Sequence, residues 1–293
     1  MDSEAMASAL EATGDYRVLR KVQGPRTIRP AHGAPTKTGV FVDVETTGLD
    51  PDRHEIIELA MVPFTYGDAG EIFSVGEAFH QLREPKEPIT PEITAITGIT
   101  QEMVAGHDLD SEAIESFIEH AHLLVAHNAS FDRRFLENFS PIFEMKPWAC
   151  SIQQVDWRAA GFEGARLGYL VAEAGYFYDR HRAVNDCYAA IELLAMPLPP
   201  SGEPAFKQLL EKARKPTWRI WATYAPFDLK DKLRERGYRW NAGGDGALRA
   251  WYIDVSEDLR EAELTYLQTE IYHREVDIPT RRIDAYTRFS SRV

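Results

Sequence analysis

The segment Phe41-Val42-Asp43-Val44-Glu45 sets two carboxylates inside an otherwise apolar, strand-like run. Residues i and i+2 of a strand share a face, so Asp43 and Glu45 project together while Val42 and Val44 face the opposite core layer. Like charges held this close are costly unless a cation neutralises them. Taken alone, an Asp-x-Glu reads first as a solvated strand edge with two unrelated carboxylates. The following Thr46-Thr47-Gly48-Leu49 shifts the balance, because Gly48 lets backbone amides approach a ligand closely.

Two further segments carry the same kinds of side chain. His127-Asn128-Ala129-Ser130-Phe131-Asp132 follows the apolar run Leu123–Ala126, where a strand gives way to a helix. That junction is a common place for sites in α/β architectures. Asp132 could cap that helix, but Asn128 and Ser130 are better placed as caps and leave Asp132 to reach inward. His127 reads equally as a satisfied core histidine or as a contact to a bound strand. Farther on, His181-Arg182-Ala183-Val184-Asn185-Asp186 places a histidine just before a helix and an acid in its first turns. Carboxylate oxygens hold hard divalent cations, and a loop imidazole beside such a cage can take a proton from an attacking water. Glu58 reads as a further carboxylate behind the cluster, or else as an ordinary strand residue.

Periodicity predicts strands over 39–45, 56–65, 72–82, 123–126 and 148–151, with Gly67–Gly70 as a hairpin loop. Helices are predicted over 4–12, 111–120, 132–139, 166–174 and 182–194. Strands first, then strand–helix alternation, indicate a mixed sheet flanked by helices. Residues 1–38 read as a partly flexible arm in which 16–19 could dock as an edge strand. The proline-rich 197–206 reads as an extended linker, separating residues 39–196 from a smaller domain over 207–293.

Charge bears directly on the partner. A net charge of −13 disfavours tight, nonspecific binding of long duplex DNA, yet residues 201–293 hold 17 Lys/Arg against 15 Asp/Glu. No apolar run approaches the ~20 residues of a membrane span. The start, Met1-Asp2-Ser3-Glu4, lacks a secretion pattern, and Cys150 and Cys187 read as buried thiols, so a cytoplasmic location is expected.

The three acidic segments, in this order, resemble the exonuclease motifs of the DEDDh family, which includes the proofreading epsilon subunit of bacterial DNA polymerase III. The resemblance runs from Gly39 to Leu194 and takes in Pro91–Thr100, Arg166–Leu170 and His181–Ala183. Asn185 and Cys187 depart from the family's usual residues, without touching the five central ones. The resemblance implies a ribonuclease H-like fold. It also implies two Mg²⁺ or Mn²⁺ ions on Asp43, Glu45, Asp132 and Asp186, with His181 and Glu45 as catalytic residues. Thr46, Gly48, Leu49, His127, Asn128 and Phe131 would then touch the substrate, with Leu49 packing on the terminal base. The implied activity is 3′→5′ removal of nucleoside monophosphates from single-stranded or frayed DNA ends, within a polymerase or repair complex. A 3′→5′ exoribonuclease trimming small RNAs is the rival enzyme, and a nucleic-acid-binding adaptor the rival outside enzymes.

The C-terminal part is an α+β segment with strands predicted over 219–224 and 249–252 and helices over 229–236 and 255–270. It holds Trp218, Trp221, Trp240 and Trp251 with Tyr224, Phe227, Tyr238 and Tyr252, interleaved with Lys230, Lys232, Arg234, Arg236 and Arg239. Aromatics mixed with cations suit stacking of unpaired bases; large aromatics are also what a small domain needs for its core. Its Arg236–Asn241 run resembles a small accessory domain found after some exonucleases of this family.

Overall fold

A computed structural model describes residues 2–243 and 248–293. It divides the chain into two compact units, Met1–Lys212 and Ala213–Val293.

The first unit runs α1 (Ser3–Glu11), β1 (Arg20–Lys21), β2 (Arg26–Thr27), β3 (Lys37–Thr46), β4 (Ile56–Tyr66), β5 (Ile72–Val75) and β6 (Phe79–Leu82). It continues with α2 (Pro91–Thr97), α3 (Gln101–Val104), α4 (Ser111–Ile118), β7 (Leu123–Ala126), α5 (Ala129–Phe139), β8 (Trp148–Cys150) and α6 (Ser151–Gln154). Then come α7 (Leu167–Glu173), β9 (Tyr176–Phe177), α8 (Ala183–Ala195) and α9 (Ala205–Arg214). A seven-stranded mixed sheet has the order β2-β5-β4-β3-β7-β8, with β6 on the same side of β4 as β5. Strands β3, β7 and β8 run parallel; β4 is antiparallel to β3, β5 and β6. This is the expected mixed sheet flanked by helices. The single strand predicted over 72–82 is two strands, because the chain breaks at Gly76–Ala78.

The sheet's centre is dry. Phe41, Val42, Leu59, Ala60, Met61 and Val62 are fully buried, each large one contributing about 1.5–3 kcal/mol of burial. Helix α8 presents Ala183, Cys187, Ala190, Ile191 and Leu194 at three- and four-residue spacing, and packs on β3 and β4. Cys187 turns its Sγ toward the carbonyls of Phe41 and Ala60, so this departure from the family pattern is accommodated as a small buried hydrophobe. Both cysteines are free and buried. On the other flank, fully buried Arg133 is neutralised by Glu137 at 2.6 Å and lies 5.6 Å from the Trp148 ring centroid.

Residues 1–38 carry more order than a tail. Edge pairing falls at Arg20–Lys21, which run parallel to Tyr176–Phe177, and not at Tyr16–Leu19. Arg17 reaches Glu173 and Lys21 reaches Asp179. The proline-rich segment after α8 is a closed turn where an extended linker was expected. Pro197 pairs with Pro204, Leu198 is buried and bonds Glu203, and Gly202 takes a left-handed φ of 72° that lets the chain reverse. Phe206 of α9 then sits edge-on to Phe64 and Tyr66.

The second unit is β10 (Thr217–Ala222), α10 (Lys230–Glu235), β11 (Arg239–Asn241), β12 (Ala250–Ser256), α11 (Arg260–Tyr266) with a wider-wound turn over Leu267–Tyr272, and β13 (Thr280–Ile283). Its four strands are antiparallel in the order β11-β12-β10-β13, the split βαβ arrangement. Ile220, Ala222 and Val255 on one sheet face meet Leu233, Leu267 and Ile271 from the helical side. The helix predicted over 255–270 starts later, because Val255 and Ser256 complete β12.

Candidate active site

Strand β3 outlasts its parallel neighbour: pairing with β7 stops at Phe41, while β4 continues to pair along the other edge. The Val44 N–H on the vacated edge donates instead to Asp132 Oδ1 at 3.2 Å. Asp132 thus sits in the first turn of α5, buried, its carboxylate aimed at the strand. Asn128 stands at the N-cap of α5 in a left-handed conformation but makes no cap bond; its Oδ1 accepts from Ser130 Oγ.

From the other side α8 delivers Asp186. Carboxylate oxygens of Asp43, Glu45 and Asp186 lie within 4.8 Å of one another. Asp132 is outside that closest group, though near enough that its charge helps raise the pKa of Asp43. Asp186 Oδ1 accepts from the Tyr178 hydroxyl at 2.8 Å, while its buried Oδ2 has no hydrogen-bond partner. Carboxylates gathered this closely are a set of hard oxygen donors that could hold a divalent cation.

Electrostatics agree with that geometry. Burial, reinforced by the charges of Asp132, Asp186 and Glu45, pushes the Asp43 carboxyl well above its ordinary range. Burial and the neighbouring Asp186 and Glu58 push Glu45 up to about 8. Burial lifts Asp132 to about 7 against the Val44 N–H, and Asp186 is raised by burial despite Tyr178 and the nearby His181.

Glu58, directly opposite Glu45 in the β3–β4 register, is treated in the opposite way. It is fully buried, accepts from His80 Nε2 at 2.7 Å and the Ala183 N–H at 3.1 Å, and pairs with Arg182 at 3.3 Å. Burial pushes its pKa upward, but His80, the Ala183 N–H and Arg182 together hold it below the ordinary range. Glu58 therefore anchors the start of α8, which in turn positions Asp186.

The remaining predicted residues separate. His181 is exposed, at a left-handed φ of 60° on the loop before α8. Thr46 is buried and donates to the Gly48 carbonyl at 2.6 Å; Leu49 beyond it is 83% exposed, an apolar side chain with nothing to pack on. A Cβ on Gly48 would fall 2.4 Å from the His54 ring, so glycine is needed there for that packing. Phe131 packs at a tilt against Phe135, with centroids 5.0 Å apart. His127 has both ring nitrogens engaged: Nε2 donates to the Ala165 carbonyl at 2.8 Å, which leaves Nδ1 to accept from Ser151 Oγ at 2.7 Å. Burial lowers its pKa to about 4, the behaviour of a satisfied core histidine. Tyr178, His80 and Arg182 escaped the sequence reading. His80 lies diagonally across strands from Glu58, a relation visible only once register is known.

Residues 40–194 match the family described as exonuclease, and the chain belongs to that family. A DNA polymerase III PolC-type protein of Caldanaerobacter subterraneus subsp. tengcongensis is 28% identical over 71% of this chain and 16% of its own length. A DNA polymerase III subunit epsilon-like protein of Rhodobacter capsulatus is 34% identical over 61% of this chain and 26% of its own. The chain thus spans a small part of these relatives. Among solved structures, E. coli ExoI bound to single-stranded DNA, in a zinc-ion-bound form, shares the fold: TM-score 0.50 and 17% identity, covering 75% of this chain and 63% of that one.

Proposed function

We propose that this exonuclease is of the DEDDh type, a 3′→5′ enzyme that removes nucleoside monophosphates from single-stranded or frayed DNA ends. The observation that carries the reading is the gathering of Asp43, Glu45 and Asp186, with a carboxylate oxygen of each within 4.8 Å of the others, beside a buried Asp186 Oδ2 that has no hydrogen-bond partner. Asp43, Glu45, Asp186 and the adjacent Asp132 are the residues that would hold two Mg²⁺ or Mn²⁺ ions. Such ions neutralise charge on a phosphoryl group and on its attacking and departing oxygens.

The chain's own residues supply the rest. His181, exposed on its loop, accepts the proton of the attacking water on an imidazole nitrogen and sheds it to solvent. Leu49, apolar and 83% exposed, offers a packing face for the terminal base. Thr46, Gly48, Asn128 and Phe131 line the approach, whereas His127 contributes by holding the Ser151 and Ala165 segments in place. Rate comes from positioning and charge neutralisation, without a covalent intermediate.

DNA polymerase III relatives favour a DNA end and a role beside a polymerase; a repair complex and a cytoplasmic location belong to the same proposal. No described helix is long and apolar enough to cross a membrane. The test is digestion of matched 5′-labelled DNA and RNA oligomers, with single-stranded, duplex and mismatched ends, with Mg²⁺, Mn²⁺ or EDTA. Metal-dependent shortening of DNA from the 3′ end is expected. Preferential shortening of RNA replaces the substrate with small RNAs, and no shortening with either metal ends the enzyme reading.

A further inference from the structure

Helices close one face of the second unit's sheet; the other meets part of the C-terminal segment, with Arg288 near Asp254 and the Arg292 carbonyl on Arg281, and leaves Trp221 and Tyr252 half-buried. Neighbours in sequence alternate between the two faces: Ile220, Ala222, Trp251 and Ile253 pack into the core, while Trp221 and Tyr252 point the other way. Those two aromatics are directly opposite each other on the two central strands, β10 and β12. Arg239 on β11 is opposite Tyr252 on its other side, giving a row Arg239–Tyr252–Trp221 across three strands. The next row is Asp254–Arg219–Arg281.

Chemistry along these rows is specific. The Tyr252 ring has the Arg219 guanidinium 4.5 Å from its centroid and that of Arg239 at 4.9 Å. Asp254 fixes both: it takes two bonds from Arg219, at 2.7 and 2.9 Å, and one from Arg239 at 3.1 Å. Arg239 nevertheless keeps 60% of its side chain exposed, and Arg281 is exposed with one nitrogen on the Arg292 carbonyl. Three arginines against one aspartate leave the face cationic, in a chain whose net charge is −13. A preorganised guanidinium–aromatic row with surplus positive charge is complementary to unpaired bases on a phosphate backbone.

We propose that this face is a docking platform for single-stranded nucleic acid, with bases stacking on Trp221 and on the Arg239 guanidinium, and phosphates meeting Arg239 and Arg281. It rests on the exonuclease reading only for the class of partner.

Fluorescence anisotropy of the full chain in EDTA tests it, using labelled dT20, the matched ribo-oligomer and a blunt duplex. Each of Trp221→Ala and Arg239→Ala weakens single-strand binding about tenfold. Trp221→Phe restores most of it, and Arg239→Ala and Arg281→Ala each lower the salt slope by about 0.7. Arg239 and Arg281 are exposed, so their variants report even if Trp221→Ala loosens the fold. Equal weakening for the deoxy and ribo oligomers supports recognition of the shared base and phosphate chemistry. Unchanged binding in these variants overturns the proposal, as does equal affinity for the blunt duplex, or an oligomer that dissociates in the variants with oligonucleotide affinity intact. Because no turnover is needed, an inactive chain that still binds through Trp221 would sink the nuclease reading alone.

Discussion

Without divalent metal, the first unit loses stability as pH rises from 6.5 to 8. Glu45 has its pKa raised from 4.5 to about 8, and Asp132 from 3.8 to about 7. A carboxyl raised on folding binds more protons folded than unfolded, so its contribution is whole below the unfolded pKa and drains away up to the folded one. His127 works in the opposite sense: lowered from 6.5 to about 4, it adds stability as pH rises through that interval. The two effects overlap below pH 6.5, and above it the carboxylates dominate. Integrated from pH 6.5 to 8, the Glu45 and Asp132 shifts amount to roughly 2 kcal/mol, or about 4–8 °C in Tm for a unit of this size. Calorimetry of the EDTA-treated protein resolves the melting of the first unit across this range. Saturating Mg²⁺ should abolish the fall, adding about 2.7 kcal/mol at a hundredfold excess over Kd, and Glu45→Gln should flatten it. A chelated wild-type Tm that is level or rising between pH 6.5 and 8 would falsify the account of an uncompensated carboxylate cluster.

Four further outcomes are expected. His181→Ala should keep its Tm, since the ring is exposed, yet lose 10²–10⁴-fold in single-turnover cleavage of a labelled oligomer. Tyr178→Phe removes the hydroxyl bonded to Asp186 Oδ1 and should weaken Mn²⁺ binding or turnover about 10–100-fold, read by metal titration. Glu58→Ala strands His80 and Arg182 and should cost about 3–5 kcal/mol by denaturant melts. Leu49→Ala should shift stability by less than about 0.5 kcal/mol while raising KM more than it lowers kcat.

The parts of this fold that were legible in the sequence are those whose signal is periodic. The run from Gly39 to Glu45 and the apolar face of α8 each carry enough repeats to announce themselves. Helix α2, seven residues between the Thr90 cap and Gly98 in a left-handed turn, is too short for a period to show, although its caps are visible. Strand β13 is four residues with two exposed arginines, and nothing local distinguishes it from a loop. The candidate site was legible as three segments in order, because each carboxylate alone has an ordinary explanation and only their combination resembles one family's motifs. Its supporting contacts were not. Tyr178 and His80 act through register and loop course, both set by contacts distant in sequence.

The two glutamates paired across β3 and β4 show how one sheet separates structural from chemical carboxylates. Glu45 and Glu58 face each other in register on the same pair of strands. Glu58 receives its counter-charges from the chain: His80, Arg182 and the Ala183 N–H, which lower its pKa and fasten α8. Glu45 receives almost none, and lies instead against Asp186, whose second oxygen is left without a partner. Had stability alone shaped this edge, both glutamates would be compensated alike or replaced by apolar residues of similar volume. Divergent pKa values on adjacent, otherwise equivalent carboxyls mark a division of labour: one acid is neutralised within the fold, and the other is, in the function proposed above, the one a cation neutralises.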